Sequence, residues 1–202
     1  MAFNLSLAVE DLACRRGGRL VFAKVAIALL PCQALLVTGP NGTGKSSLLR
    51  VLAGLLRPES GAVRLGTQDR ELAESAHLIG HMDAVKPQLS VKENLVYMAG
   101  LLGQGTEMVT YALEQVAMHN LASREARFLS AGQKRRLNLA RLLAAPRPLW
   151  LLDEPSVGLD RTSISALEHM IASHRAQGGI VVATTHQPFA LPESQTLTLG
   201  DQ

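Results

Sequence analysis

The chain has 202 residues, 47% of them hydrophobic and 3% aromatic, with a formal net charge of +3. That length suits one domain, with room for a subdomain and a substantial core. The basic residues are scattered, which speaks against a nucleic-acid surface. The two cysteines, Cys14 and Cys32, lack metal-ligand spacing and read as free thiols.

In chain order, residues 5–12 (LSLAVEDL) and 19–30 (RLVFAKVAIALL) read as strands from alternation and β-branching. Residues 35–39, LLVTG, form an apolar strand-like run, and residues 45–56 a helix that stops before Arg57-Pro58. PESGAVRLG predicts a turn and a strand, and HLIG at 77–80 a short buried strand. From about 82 to 146 the pattern turns helical. Ser90 and Glu93 have capping-box spacing ahead of an apolar helix, and residues 107–119 and 131–144 have helical periodicity. LWLLD, a helix at 161–176 and the buried strand GGIVVATTH complete the chain. Residues 25–44 carry no charge, but Pro31, Gln33, Gly39, Pro40, Asn41 and Gly42 interrupt them, so no membrane span is expected there.

Four short runs carry chemistry. GPNGTGKS at 39–46 fits the phosphate-loop pattern between a strand and a helix. Its residues Gly39, Pro40, Asn41, Gly42, Thr43 and Gly44 let backbone amides turn toward phosphate oxygens. Lys45 supplies a mobile charge for the β- and γ-phosphates, and Ser46, followed by Ser47, a hydroxyl for Mg²⁺. LWLLDEP at 149–155 places Asp153 and Glu154 at the end of an apolar strand, where open α/β sheets hold their ligands. Asp153 is suited to holding Mg²⁺ through water, and Glu154 to accepting a proton from attacking water. An acidic turn after a core strand would be an equal reading of that run alone; the phosphate loop upstream removes the balance. LSAGQ at 129–133 and TTHQ at 184–187 complete the set.

This order resembles the ATP-binding cassette ATPases over nearly the whole chain. LSAGQ looks like their LSGGQ signature with Ala131 for one glycine, 20 residues before the acidic pair counted from Gln133 to Asp153. The resemblance implies an α/β fold of the P-loop NTPase type. A mostly parallel core sheet would carry an N-terminal antiparallel β portion and a helical insertion, residues 82–146, within one domain spanning 1–202. It further implies that Ser130, Ala131, Gly132 and Gln133 face the ATP of a second copy of the chain. SVGLD at 156–160 would be the loop crossing that dimer interface, and His186 a switch residue touching the γ-phosphate.

Three positions depart from the general family. His81 stands where a glutamine is usual, Arg16 where an aromatic stacks on adenine, and Cys32 where glycine is common before the phosphate strand. A guanidinium can stack on a base, and a solvated arginine fits Arg16 equally well. These departures, with LSAGQ-x-RR and GGIVxxTTHQP, look like the haem-exporter ATP-binding subunits of bacterial cytochrome c maturation. That likeness implies ATP and Mg²⁺ as cofactors, polytopic inner-membrane partners, no nucleic acid, and a peripheral place on the cytoplasmic face of the inner membrane. The alternative is a soluble cassette ATPase in cofactor assembly. A DNA-binding repair head is disfavoured, because the 85 residues from Lys45 to Ser130 leave no room for a long coiled coil. Met82 and Val85, in an expected loop, are the candidate contacts to a membrane partner.

Overall fold

The computed structural model describes residues 3–66, 72–185 and 190–200. The chain folds as two compact units, Met1–Gly80 with Arg147–Pro155 and Ile171–Gln202, and His81–Pro146 with Ser156–Met170.

In the first unit, β1 (Leu7–Arg16) and β2 (Arg19–Leu29) form a hairpin closed by Gly17 and Gly18. Both turn residues have positive φ, 54° and 79°. That is the conformation a two-residue hairpin turn needs to match strand twist, and glycine takes it without steric cost. β3 (Ala34–Thr38) leads into the phosphate loop, and α1 (Lys45–Leu52) follows it. β4 (Ser60–Leu65) pairs antiparallel with β1, so the described residues give a three-stranded sheet in the order β2-β1-β4. The short α2 (Leu72–Ser75) precedes β5 (Ala76–Ile79).

The second sheet is parallel, in the order β5-β6-β7-β3-β8, with β6 at Leu149–Asp153, β7 at Ile180–Thr184 and β8 at Ser194–Thr198. Every residue of β6 and β7 is buried. Strands covered on both faces read as continuous apolar runs, which is why LWLLD and IVVAT show no alternation. α1 packs against β5, β6 and β7, burying Leu48, Leu49 and Leu52 completely. One continuous apolar core joins both sheets, running from Leu7 and Leu12 through Leu35 and Val37 to Leu151 and Val182.

The second unit is helical. α3 (Val91–Leu101) begins at Ser90 with a full capping box to Glu93. α4 (Val109–Gln115) and α5 (Ala131–Ala144) pack with it, and single 3₁₀ turns lie at His119–Leu121 and Ala126–Phe128. α6 (Arg161–Ala176) starts in this unit and ends in the first. Asn94, buried on α3, fixes the preceding loop. It accepts from the Lys86 amide at 2.7 Å and donates to the carbonyls of Lys86, Leu89 and Ser90 at 3.1, 3.2 and 2.9 Å.

Several elements differ from the sequence reading. The helix expected over 107–119 shortens to Val109–Gln115, because Met108 offers no side-chain cap and the chain leaves the helix at Ala117 with φ 52°. α1 ends at Leu52, four residues early, as the chain turns at Gly54 with φ 71°. β8 has no counterpart among the expected strands, because SQTLT is a polar edge strand with little apolar signal.

His174, near the end of α6, is buried and stacks on Trp150 of β6 at 3.9 Å between centroids and 8° between planes. Burial lowers its pKa to about 4, against the opposing pull of hydrogen bonding to the backbone at Ile180 and Pro148. The folded value lies below the unfolded one, so the neutral ring contributes stability above about pH 6.5. That contribution, about 3 kcal/mol in total, is lost as pH falls toward 4. The imidazole should therefore titrate by NMR with a midpoint near 4, well below that of an exposed histidine. The urea midpoint should fall across that window, and less steeply in His174→Gln. An NMR midpoint near 6.5 would contradict the buried neutral ring.

Candidate functional site

The parallel register aligns the chemistry. Val37 of β3 pairs with Thr184 of β7, and Thr184 pairs with Asp153 of β6. The carboxyl ends of three neighbouring strands thus lie side by side, which is where open α/β sheets bind ligands. β3 runs directly into the loop at 39–44, and β6 into Glu154.

The loop is shaped by close approach. Gly39 has φ 133°, and a Cβ there would collide with the Leu199 carbonyl oxygen. Gly44 has φ 98°, and a Cβ would collide with the Val21 side chain. Only glycine fits either position. Lys45 folds back over the loop, donating from Nζ to the carbonyls of Gly39 at 2.8 Å and Pro40 at 3.0 Å. The residue is only 7% exposed, and its ammonium meets these two acceptors, which places a positive charge at the loop. Thr43 Oγ1 donates to the Pro40 carbonyl at 2.9 Å and tightens the same turn. Ser46 and Ser47 are half-buried in the first turn of α1, whose amino end faces the loop. Asn41 and Gly42 are exposed at its tip.

Asp153 and Glu154 are both buried. Thr184 Oγ1 donates to Asp153 Oδ1 at 2.7 Å and accepts from the Glu154 amide at 3.1 Å. The Glu154 amide also reaches the Thr184 carbonyl at 3.2 Å. These contacts hold the Asp153 carboxylate and fix the backbone that carries Glu154. Glu154 itself has φ 49°, a left-handed conformation that costs a non-glycine residue about 1–3 kcal/mol and gathers at functional sites. One carboxylate and one hydroxyl, Asp153 and Ser46, suit a hard cation that takes its other ligands from phosphate and water. Thr184 lies inside the TTHQ run, where the sequence alone assigns it no role; its signal is a hydroxyl at the end of a strand adjoining the acidic pair. His186 lies outside the described residues.

In the second unit, Ser130 caps α5. Its Oγ accepts from the Gln133 amide at 3.2 Å, and its own amide donates to Gln133 Oε1 at 2.9 Å. The box occupies the amides of Ser130 and Gln133. The first-turn amides outside it are those of Ala131 and Gly132, and Ser130 and Ala131 are exposed. A Cβ on Gly132 would sit 3.3 Å from the Gly158 carbonyl oxygen, so SVGLD packs tightly beside the signature run. Asp160 caps α6 through the Ser163 amide at 2.7 Å, and this bond holds its carboxyl below the usual range. His81 is exposed at the start of the unit, and Met82 is 87% exposed. Val85 is half-buried, and Val91 and Leu95 belong to the core.

The two remaining departures lie in the first unit. Arg16 is exposed at the end of β1, beside the hairpin turn. Cys32 is exposed with φ 70°, the left-handed region that glycine adopts most readily, and its carbonyl accepts from Arg175 Nε at 2.8 Å.

Residues 22–157 match the family model for ABC transporters. The "Cytochrome c biogenesis ATP-binding export protein CcmA" of Rhodospirillum rubrum is 53% identical over 195 residues, covering 94% of this chain and 84% of that one. The protein of the same name from Paramagnetospirillum magneticum is 50% identical over 203 residues, covering 96% and 94%. Among solved structures, an ATP-binding subunit of an ABC transporter superposes with a TM-score of 0.85 at 23% identity, covering 96% of this chain and 85% of that one. An ABC transporter ATP-binding protein from Pyrococcus furiosus superposes with a TM-score of 0.82, also at 23% identity, covering 96% and 97%. With a buried acidic pair in register beside a phosphate loop, and with these relatives, the chain belongs to the ABC transporter family, among the ATP-binding export proteins of cytochrome c biogenesis.

Proposed function

We propose that this chain is the ATP-hydrolysing subunit of a membrane transporter complex, and that its turnover drives haem export or release of a haem-loaded chaperone in cytochrome c maturation. The observation that carries the reading is the shared end of β3, β7 and β6, where the phosphate loop, Thr184 and the acidic pair meet in one register. The relatives named as cytochrome c biogenesis ATP-binding export proteins give the output.

ATP binds with its phosphates in the loop from Gly39 to Ser46, where Lys45 releases its own carbonyl partners to meet the β- and γ-oxygens. Ser46 and Asp153 would hold Mg²⁺, which neutralises phosphate charge when bound. Thr184 holds Asp153 in place while Glu154, on its strained backbone, takes the proton of the attacking water. Ser130, Ala131, Gly132 and Gln133 serve the ATP of a second copy, with α5's amino end directed at phosphate. His186 and His81 are assigned by resemblance to the γ-phosphate side, His81 in place of the usual glutamine. No helix among the described residues is long and apolar enough to cross a membrane. We place the protein peripherally on the cytoplasmic face of the inner membrane, held by polytopic subunits, with no nucleic-acid role. A soluble cassette ATPase in cofactor assembly is the rival, separated by co-purification with membrane subunits.

Lys45→Ala should abolish Mg-ATP binding by calorimetry while the far-ultraviolet circular dichroism stays unchanged; normal affinity would refute the loop assignment. Glu154→Gln keeps the side chain's shape without a proton acceptor. Its ATPase rate should fall about 10²–10⁴-fold with ATP still bound and an ATP-bound dimer accumulating. Hydrolysis at the parental rate would require another base. Met82 is the more exposed of the two candidate partner contacts, so Met82→Gln should leave ATPase activity of the isolated chain intact. It should weaken co-purification with the membrane subunits and lower covalently attached haem in cells. Unchanged attachment and haem content would dismiss that contact.

A further inference from the structure

The second unit contains a polar chain that the proposed chemistry does not use. Asp83 Oδ1 lies 3.7 Å from Arg135 Nη1, and Asn138 Nδ2 donates to the same oxygen at 3.4 Å. Asn138 Oδ1 in turn accepts from Arg141 Nη1 at 2.7 Å. Residues 135, 138 and 141 are three apart on α5, so they share one helix face. Arg135 and Asn138 are buried, and burial lowers the pKa of Arg141.

Stability is a poor account of this arrangement. Charges removed from water are costly, and a buried ion pair is often no better than apolar residues of the same volume. A buried arginine is retained at little benefit to the fold unless it specifies geometry.

The two ends of the chain show which geometry. Asp83 lies in the loop between β5 and α3, next to exposed Met82. The later half of that loop is fixed to α3 by Asn94. Its earlier half reaches α5 through Asp83. Arg135 stands two residues after Gln133, in the turn that follows the Ser130 capping box. A shift of the loop at 82–84 therefore reaches the start of α5 through an ionic and hydrogen-bonded joint.

We infer that Asp83, with Arg135 and Asn138, is a positioning site that sets the register of α5's amino end and so the aim of Ser130 and Gly132 at the second copy's ATP. The inference rests on the reading of α5 as the element that serves ATP in trans. Asp83 touches no substrate under this assignment; it acts through Arg135.

The test separates ATP binding, which belongs to the phosphate loop, from ATP-driven dimerisation, which needs the aim of α5. In full-length Glu154→Gln protein, ATP affinity is measured calorimetrically and the ATP-bound dimer by sedimentation. Adding Asp83→Asn or Arg135→Met should raise the protein concentration for half-dimerisation about tenfold, with ATP affinity unchanged within about twofold. The double variant should be no worse than the worse single one, because both remove the same joint. Asn138→Ala keeps the ion pair and should give a smaller loss, so one folded variant remains informative if the charged ones lose stability. Normal dimerisation in Asp83→Asn, additive losses in the double variant, or a parallel fall in ATP affinity would each overturn the inference. Failure of the Glu154→Gln parent to dimerise with ATP would instead overturn the trans arrangement itself.

Discussion

The hydrogen bond from Thr184 Oγ1 to Asp153 Oδ1, 2.7 Å long and buried, is the constraint around which the site is arranged. It joins neighbouring parallel strands at their carboxyl ends, at the point where each chain leaves the sheet. A buried carboxylate without such a donor would be expensive, and its side chain would have no fixed direction. The same hydroxyl accepts from the Glu154 amide, so one threonine orients both acidic residues. A one-residue slip between β6 and β7 would turn Asp153 to the other face of the sheet and break the arrangement. The fully buried runs LWLLD and IVVAT guard against that slip through their packing.

The phosphate loop depends on the same sheet from the other side. Its glycines are required by neighbours outside the loop: Leu199, just beyond β8, crowds Gly39, and Val21 of β2 crowds Gly44. Both sheets of the first unit therefore press on the loop and hold its curvature before any ligand arrives. Lys45 meets the same need for readiness. Among the described residues its ammonium is held by loop carbonyls, with no carboxylate in an ion pair with it, so it can pass to phosphate without breaking one. Neutral acceptors exchange more cheaply than a charged partner would.

Local signals in the sequence carried much of this. α5 and α6 begin and end as their periodicity implies, and the capping box at Ser90 marks the start of α3 because its bonds lie within three residues. The first two strands are legible as alternating runs. What escaped was set at long range. β8 is held by pairing with β3 and by no pattern of its own in SQTLT. Thr184 gains its role only when β7 lies beside β6. Asp83 meets Arg135 across 52 residues of sequence, read from position 83 to position 135, and nothing near either residue announces the pair.

The two units solve different electrostatic problems. The first presents cationic and amide donors in a fixed loop and buries two carboxylates beside it. The second presents a helix amino end whose own capping box already uses two amides, leaving a narrow set of donors at Ala131 and Gly132. A donor set that small has value only if it is aimed, because charge–dipole attraction at a helix end fades within one turn. Aim requires that α5 be fixed along its length as well as at its cap. Apolar packing through Leu137, Leu139 and Leu142 holds the helix down but tolerates small rotations and slides. Directional bonds from Asn138 and the Asp83–Arg135 pair resist both, which is the reason to keep costly polar groups inside a unit that apolar residues could otherwise fill.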